Sequence, residues 1–205
     1  MTRLLRHMRM SDVPDVVTID QISFDPAWSA QAYQFEVAES SYSHMVILEE
    51  AAQSHPTATG LGRLLRTLAG RALSPGVILG YGGLWHIDKE AHISTIAVHP
   101  RFRGLGYGEL LLAAMCVRAL YLRAAYVILE VRVSNAVAQN LYRKFGFETR
   151  MVKPRYYHSD GEDAYEMRLN LLPETKERLE KDFPALLERI EVKDEFTTRS
   201  ASRRF

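Results

Sequence analysis

His99-Pro100-Arg101-Phe102-Arg103-Gly104-Leu105-Gly106-Tyr107-Gly108-Glu109-Leu110-Leu111-Leu112 separates a β-branched run, Ile93 to Val98, from an apolar run with helical spacing. The order is strand, glycine-rich turn, helix. Gly104, Gly106 and Gly108 lack the Cβ atoms that would hold a ligand off the main chain, so successive N–H groups can converge on one anion at a helix N-terminus. The stretch predicts a phosphate or pyrophosphate site, with Arg103, and Arg101 beside it, as cations at the rim. A P-loop would need Gly-Lys-Ser/Thr after its last glycine, and here Glu109-Leu110 follows Gly108. A dinucleotide fingerprint would need glycine at position 109 and no Pro100-Arg101-Phe102-Arg103 between strand and turn. A plain tight turn into a helix is the non-functional alternative.

The chain has 205 residues, 47% hydrophobic and 25% charged, enough for one domain with a full core and some extensions. Lys+Arg 26 against Asp+Glu 25 leaves a net charge of +1, so no global field draws it to nucleic acid or an anionic membrane. Cys116 is the single cysteine and sits inside the apolar run Leu110 to Val117, as a buried thiol in a reducing compartment would. The N-terminus has no apolar signal region and no run approaches a membrane span, so a soluble cytoplasmic protein is expected.

Leu4 to Met10 reads as a first strand. Ser11-Asp12 offers a cap for a helix from Val13 with Pro14 in its first turn, ending near Phe24-Asp25-Pro26, and Ser29 caps a second helix through Val37. His44 to Glu49 is a second strand. Residues 51–76 form an insertion in which Leu61, Leu64, Leu65, Leu68 and Ala72 share a helical face with Arg63, Arg66 and Arg71. Such a helix either packs on its own domain with its arginines solvated, the commoner case, or touches RNA or a membrane surface. Val77 to Trp85 reads as a strand whose glycines hint at a bulge, and Ala91 to Val98 as the strand feeding the glycine turn. A largely buried helix runs from Gly108 to about Arg123.

Tyr126 to Val133 is apolar and β-branched except for Glu130 and Arg132. Strand, helix, strand implies a parallel pair inside a sheet. Glu130 is then an acid in a central strand, where burial costs several kcal/mol unless the carboxylate is paired or used. Its partner is either Arg132 or Arg101, or else it is a base whose pKa partial desolvation raises toward neutrality. Ser134 can cap a helix ending at Gly146, and Tyr142 lies on that helix.

Arg103-Gly104-Leu105-Gly106-Tyr107-Gly108 fits Arg/Gln-x-x-Gly-x-Gly/Ala, and residues 135–147 fit Asn-x-x-Ala-x-x-Leu-Tyr-x-x-x-Gly-Phe. Together they resemble the GCN5-related N-acetyltransferase (GNAT) superfamily. Leu129-Glu130-Val131-Arg132 with Ser134-Asn135, then Arg155-Tyr156-Tyr157 and Glu162-Asp163-Ala164, is similar to the RimI-type enzymes, which acetylate the N-terminal alanine of a ribosomal protein. The likeness covers residues 85–170 well, 10–30 loosely, and neither the insertion nor the tail.

The resemblance implies an α/β fold with a mixed central sheet flanked by helices and a parallel central pair around acetyl-CoA. It implies Glu130 as general base and Tyr142 as general acid toward the departing thiolate. Ile96, Ala97 and Val98 would hold the thioester arm, Arg103, Gly104, Leu105, Gly106, Tyr107 and Gly108 the pyrophosphate, and Asn135 a further cofactor contact. Trp28, Tyr156 and Tyr157 would line the acceptor site, and the partner would be an acceptor protein N-terminus such as a ribosomal protein's. An α-amine with a pKa of about 8 asks less of a carboxylate base than a lysine at about 10.4. No metal is expected: His86, His92, His99 and His158 have no ligand spacing and read as turn or surface residues. Acetylation of a small amine or lysine, and a CoA-binding module without catalysis, are the alternatives.

Tyr165, Met167, Leu169 and Leu171 alternate with polar residues as a strand does. The acetyltransferase domain is placed at 1–172. Residues 173–205 form a helical extension, divided or kinked at Pro184, and a basic tail disordered from Thr197.

Overall fold

The computed structural model describes residues 3–50 and 76–198; the basic helix expected in the insertion, and the tail beyond 198, lie outside them. The elements are β1 (Arg3–His7), α1 (Val13–Gln21), α2 (Ala30–Ala38), β2 (Ser43–Glu50), β3 (Val77–Ile87), β4 (Glu90–Val98), α3 (Tyr107–Tyr121), β5 (Tyr126–Arg132), α4 (Ala136–Lys144), β6 (Glu148–Tyr157), β7 (Glu162–Asn170), α5 (Pro173–Ile190) and β8 (Val192–Asp194). Among the described residues no helix is long and apolar enough to cross a membrane.

The strands form one mixed sheet in the order β6-β7-β5-β4-β3-β2-β1-β8. Alternation along β2 shows how it is covered. Val46 and Leu48 point into a core shared with α3 and α5, while Met45 and Ile47 point into a smaller one under α1 and α2. Helix α3 is the centre of the larger core, with Leu110 through Ala119 all buried. Cys116 is fully buried there, and that burial pushes its thiol up to about 12.

The expected parallel pair is β4 and β5, and it is short. Glu90, Ala91 and His92 pair with Tyr126, Val127 and Ile128, after which both strands continue, to Val98 and Arg132, without pairing. The physical cause lies on the other side of β4. Its register against β3 passes from Leu84↔Ile93 to Gly83↔Thr95, which leaves Ser94 as an extra residue. A bulge bends its strand and reverses the alternation beyond it. Accordingly Ala91 and Ile93 belong to the larger core, whereas Ala97 belongs to the smaller one.

Several boundaries differ from the sequence reading. Helix α1 stops at Gln21, with Ser23 and Phe24 N–H groups both donating to Asp20 O. Helix α4 is capped by Asn135 rather than Ser134, its Oδ1 accepting from Ala138 N at 3.1 Å. Helix α5 passes unbroken through Pro184, which lies on the exposed face, so the carbonyl it leaves unbonded is open to water. The chain then adds β8, a parallel strand against β1 that sequence reading missed. Thr197 is ordered, contrary to expectation: it is 4% exposed, because the Asp194 carboxylate accepts from the Phe196 and Thr197 N–H groups and from the Thr197 hydroxyl.

Gly80 tests the tightness of the β3–β4 layer. A Cβ there would stand 2.7 Å from Ala97 O and 3.0 Å from Leu111 Cδ1, and the carbonyl is fixed by the sheet. Gly80→Ala is expected to destabilise the fold by about 1–3 kcal/mol, read as a lower urea midpoint with unchanged slope.

Candidate active site

Where β4 and β5 part, the sheet opens into a cleft of about 1110 Å3. Ile93 to Ile96 form one wall and Leu129 to Arg132 the other. Asn135 at the cap of α4 and Ala138 and Tyr142 within it face in, as do the end of α1 from Asp20, the loop after it to Pro26, Trp28, and Pro154 to His158 at the end of β6. Trp28, Ile96, Glu130, Asn135, Tyr142, Tyr156 and Tyr157, expected from sequence to share a site, therefore line one cleft.

The glycine turn lies at the end of β4. Gly104 and Gly106 have φ of +79° and +83°, left-handed values that L side chains rarely adopt, and a Cβ on Gly104 would meet nothing within 4 Å. The turn's main chain is thus open on the outside while α3 starts at Tyr107. Leu105 is exposed; Tyr107 is buried under the Arg3 guanidinium, so only its main chain can serve a ligand. Arg103 folds back, donating from Nε to Val98 O at 3.2 Å and from a terminal nitrogen toward Ser23 Oγ at 3.5 Å. Ala97 turns into the smaller core, and Val98 packs on the larger.

Two side chains fix the loops over the cleft. Asp20, 1% exposed, accepts from Trp28 N at 2.6 Å, from Tyr33 OH at 2.7 Å and from Tyr81 OH. Burial first, and then the neighbouring Tyr81 phenol and Asp20 for Tyr33 and the Asp20 carboxylate for Tyr81, hold both phenols well above their ordinary range, so they remain donors. Trp28 stacks on Trp85 with ring centres 6.0 Å apart, and Trp85 Nε1 donates to Glu36 at 2.9 Å. On the other side Arg132 binds Asp160 at 2.7 Å and Glu162 at 2.8 Å, and donates to Asp25 O at 3.1 Å, with its guanidinium 3.9 Å over the Tyr157 ring. Ser159 Oγ also donates to Asp25 O at 3.0 Å. The β6–β7 turn and the loop after α1 therefore meet as an arch.

Glu130 sits in the cleft wall, its side chain 8% exposed. His92 Nε2 is 2.7 Å from its Oε2, and Lys153 Nζ is 2.5 Å from its Oε1 and 2.8 Å from Glu166 Oε2. This corrects the sequence reading on three points. The partners are Lys153 and His92, neither Arg132 nor Arg101, and His92 is a half-buried partner of the cleft carboxylate rather than a turn or surface residue. The direction of the pKa shift is also reversed. Burial does raise it, but hydrogen bonds and charge from His92 and Lys153 outweigh burial and hold Glu130 down to about 2. Tyr142, buried at the α4 wall, is pushed well above the ordinary phenol range by desolvation and keeps its proton at neutral pH. Among the described residues no three His, Cys, Asp or Glu side chains are grouped to hold a metal ion.

Residues 30–147 match the acetyltransferase (GNAT) family. A Bacillus subtilis (strain 168) protein provisionally named a ribosomal protein bS18-alanine N-acetyltransferase is 31% identical over 160 residues, which is 78% of this chain and 90% of that one. In fold the chain is similar to the ribosomal-protein-S18-alanine N-acetyltransferase of Escherichia coli, with a TM-score of 0.63 at 24% identity over 83% of this chain and 94% of that one. It is similar also to a structure of the NatC complex bound to Gag peptide and CoA, at 0.62 and 16% identity over 84% of this chain and 100% of that one.

The charge pairs at Glu130 have a pH signature. Its folded value lies below the ordinary 4.5, so its stabilisation is complete above that value and is lost as pH falls toward about 2. The stability gap between wild type and Glu130→Gln is expected to be roughly 2 kcal/mol at pH 7 and to shrink below pH 4.5. Urea unfolding at stepped pH measures it.

Proposed function

The chain belongs to the acetyltransferase (GNAT) family and transfers acetyl groups, and we propose that its acceptor is the α-amine of a protein N-terminus, of the ribosomal-protein alanine kind. The observation that carries this reading is Glu130, a carboxylate in the wall of a cleft arched over by two joined loops, a site that suits an ammonium at the end of an extended chain. The likeness to the Bacillus subtilis protein supports the same acceptor.

The residues fit acetyl-CoA. Beyond His92 the β4 main chain has no β5 partner, so its N–H and C=O groups can pair with the amides of a pantetheine arm. The open turn at Gly104 to Gly108, ending at the N-terminus of α3, suits the diphosphate, with Arg103 beside it. Acetyl-CoA supplies the thioester acetyl group.

Glu130 attracts the acceptor ammonium at the Oε1 edge that Lys153 occupies here, while His92 holds Oε2. Held down to about 2, the carboxylate alone is a weak base toward an α-ammonium at about 8. Its charge orients the ammonium, whose proton leaves through the carboxylate to water while His92 holds Oε2 at 2.7 Å. The freed amine forms its bond to the acyl carbon as the carbon–sulfur bond breaks, the Tyr142 hydroxyl protonates the departing sulfur, and the proton that the nitrogen sheds on becoming an amide restores the phenol through water.

Glu130→Gln is expected to lower kcat about a hundredfold, with acetyl-CoA affinity changed less than about twofold. Tyr142→Phe is expected to lower kcat about tenfold or more. Steady-state kinetics on a peptide with a free N-terminal alanine, beside calorimetric binding of acetyl-CoA, separates the two quantities; equal loss of turnover and cofactor binding in Glu130→Gln would make Glu130 structural.

A further inference from the structure

A second groove, of about 340 Å3, separates α3 from the C-terminal helix α5 and the end of α4. It borders the glycine turn: a Cβ on Gly106 would stand 3.5 Å from Ile190 Cδ1 and 4.0 Å from a terminal nitrogen of Arg189. The same guanidinium lies 3.5 Å from Glu109 Oε2, and Lys144 Nζ lies 2.8 Å from Glu109 Oε1. Three helices thus place charged groups around one end of the turn.

Glu109 is in the first turn of α3, beside the N–H groups that would receive an anion. Alone it would repel a phosphate there. With Lys144 on one oxygen and Arg189 on the other, the cluster carries a net positive charge. Both cations are mostly exposed, 60% and 61%, so each can bind outward while Glu109 holds it near the turn. Arg103, the cation within the turn, bends away from this cluster toward Val98 and Ser23. The two ends of the turn are therefore served by different cations.

We propose that Arg189 and Lys144 receive the 3′-phosphate of CoA, which makes α5 an outer wall of the cofactor site. This rests on the acetyl-CoA reading above. CoA carries its diphosphate and its 3′-phosphomonoester on opposite sides of one ribose. If the turn and Arg103 take the diphosphate, the monoester, with about −1.5 to −2 charge at pH 7, needs a second cationic group a few ångströms away. The α3–α5 groove supplies a lysine and a forked guanidinium on different helices. Helix α5 lies beyond residues 30–147, so the family match alone does not reveal the contribution of Arg189.

The test is calorimetric titration of the full chain with acetyl-CoA and with its 3′-dephospho analogue. Wild type is expected to bind acetyl-CoA about tenfold more tightly than the analogue. Arg189→Ala and Lys144→Ala should each weaken acetyl-CoA and leave the analogue unchanged, bringing the ratio toward one, while Arg189→Lys retains most of it. An undiminished ratio in both alanine variants, equal weakening of both ligands, or equal affinity of wild type for both overturns the proposal. Wild type binding neither ligand would instead refute the cofactor reading, and this proposal with it.

Discussion

Strands β4 and β5 stay paired for three residues and then part, and everything that makes this molecule chemically interesting follows from that parting. An interior parallel pair would ordinarily satisfy its main chain along its whole length. Here the extra residue Ser94, set against β3, bends β4 away and leaves main-chain groups facing an opening. The rest of the fold keeps that opening from collapsing. Helix α3 anchors β4 from one face through the larger hydrophobic core, and the Asp20–Tyr33–Tyr81 cluster fixes the cover on the other. A gap in the sheet is stable only because rigid layers on both sides hold its edges.

Charge in the gap is arranged in the same economical way. A lone carboxylate at Glu130 would be strongly penalised by burial, and the structure answers with partners from two other strands. The result is an ionised group that presents one edge toward His92 and the other toward a lysine. That lysine also pairs with Glu166, so neither it nor Glu130 stands as a lone charge in the cleft.

The strand–turn–helix at 93–112 was legible because its signals are local: β-branched spacing, alternate glycines, then an apolar helical run. Glu130 stood out as an acid in an apolar strand, whereas Tyr142 stood out only through the family resemblance, its helix by itself offering an ordinary half-buried aromatic. The sense of the Glu130 shift was not legible, since His92 and Lys153 are 38 and 23 residues away and reach it only through strand order. Alternation along β4 put His92 on the face of a strand, a signal that ligand spacing alone discarded. Ser94 has nothing in its neighbours that marks a bulge; the bulge comes from register against β3. Pro184 was read as kinking or dividing its helix because sequence does not say that its face is solvated, and Thr197 as disordered because the Asp194 turn that orders it uses polar residues.

The most direct measurement is mass spectrometry of a peptide carrying a free N-terminal alanine and an internal lysine, after incubation with the full chain and acetyl-CoA. The account predicts a single acetyl group, on the alanine amine, and its loss in Glu130→Gln. Acetyl on the lysine side chain alone would contradict the assignment of the acceptor, and transfer undiminished in Glu130→Gln would contradict the role of the cleft carboxylate.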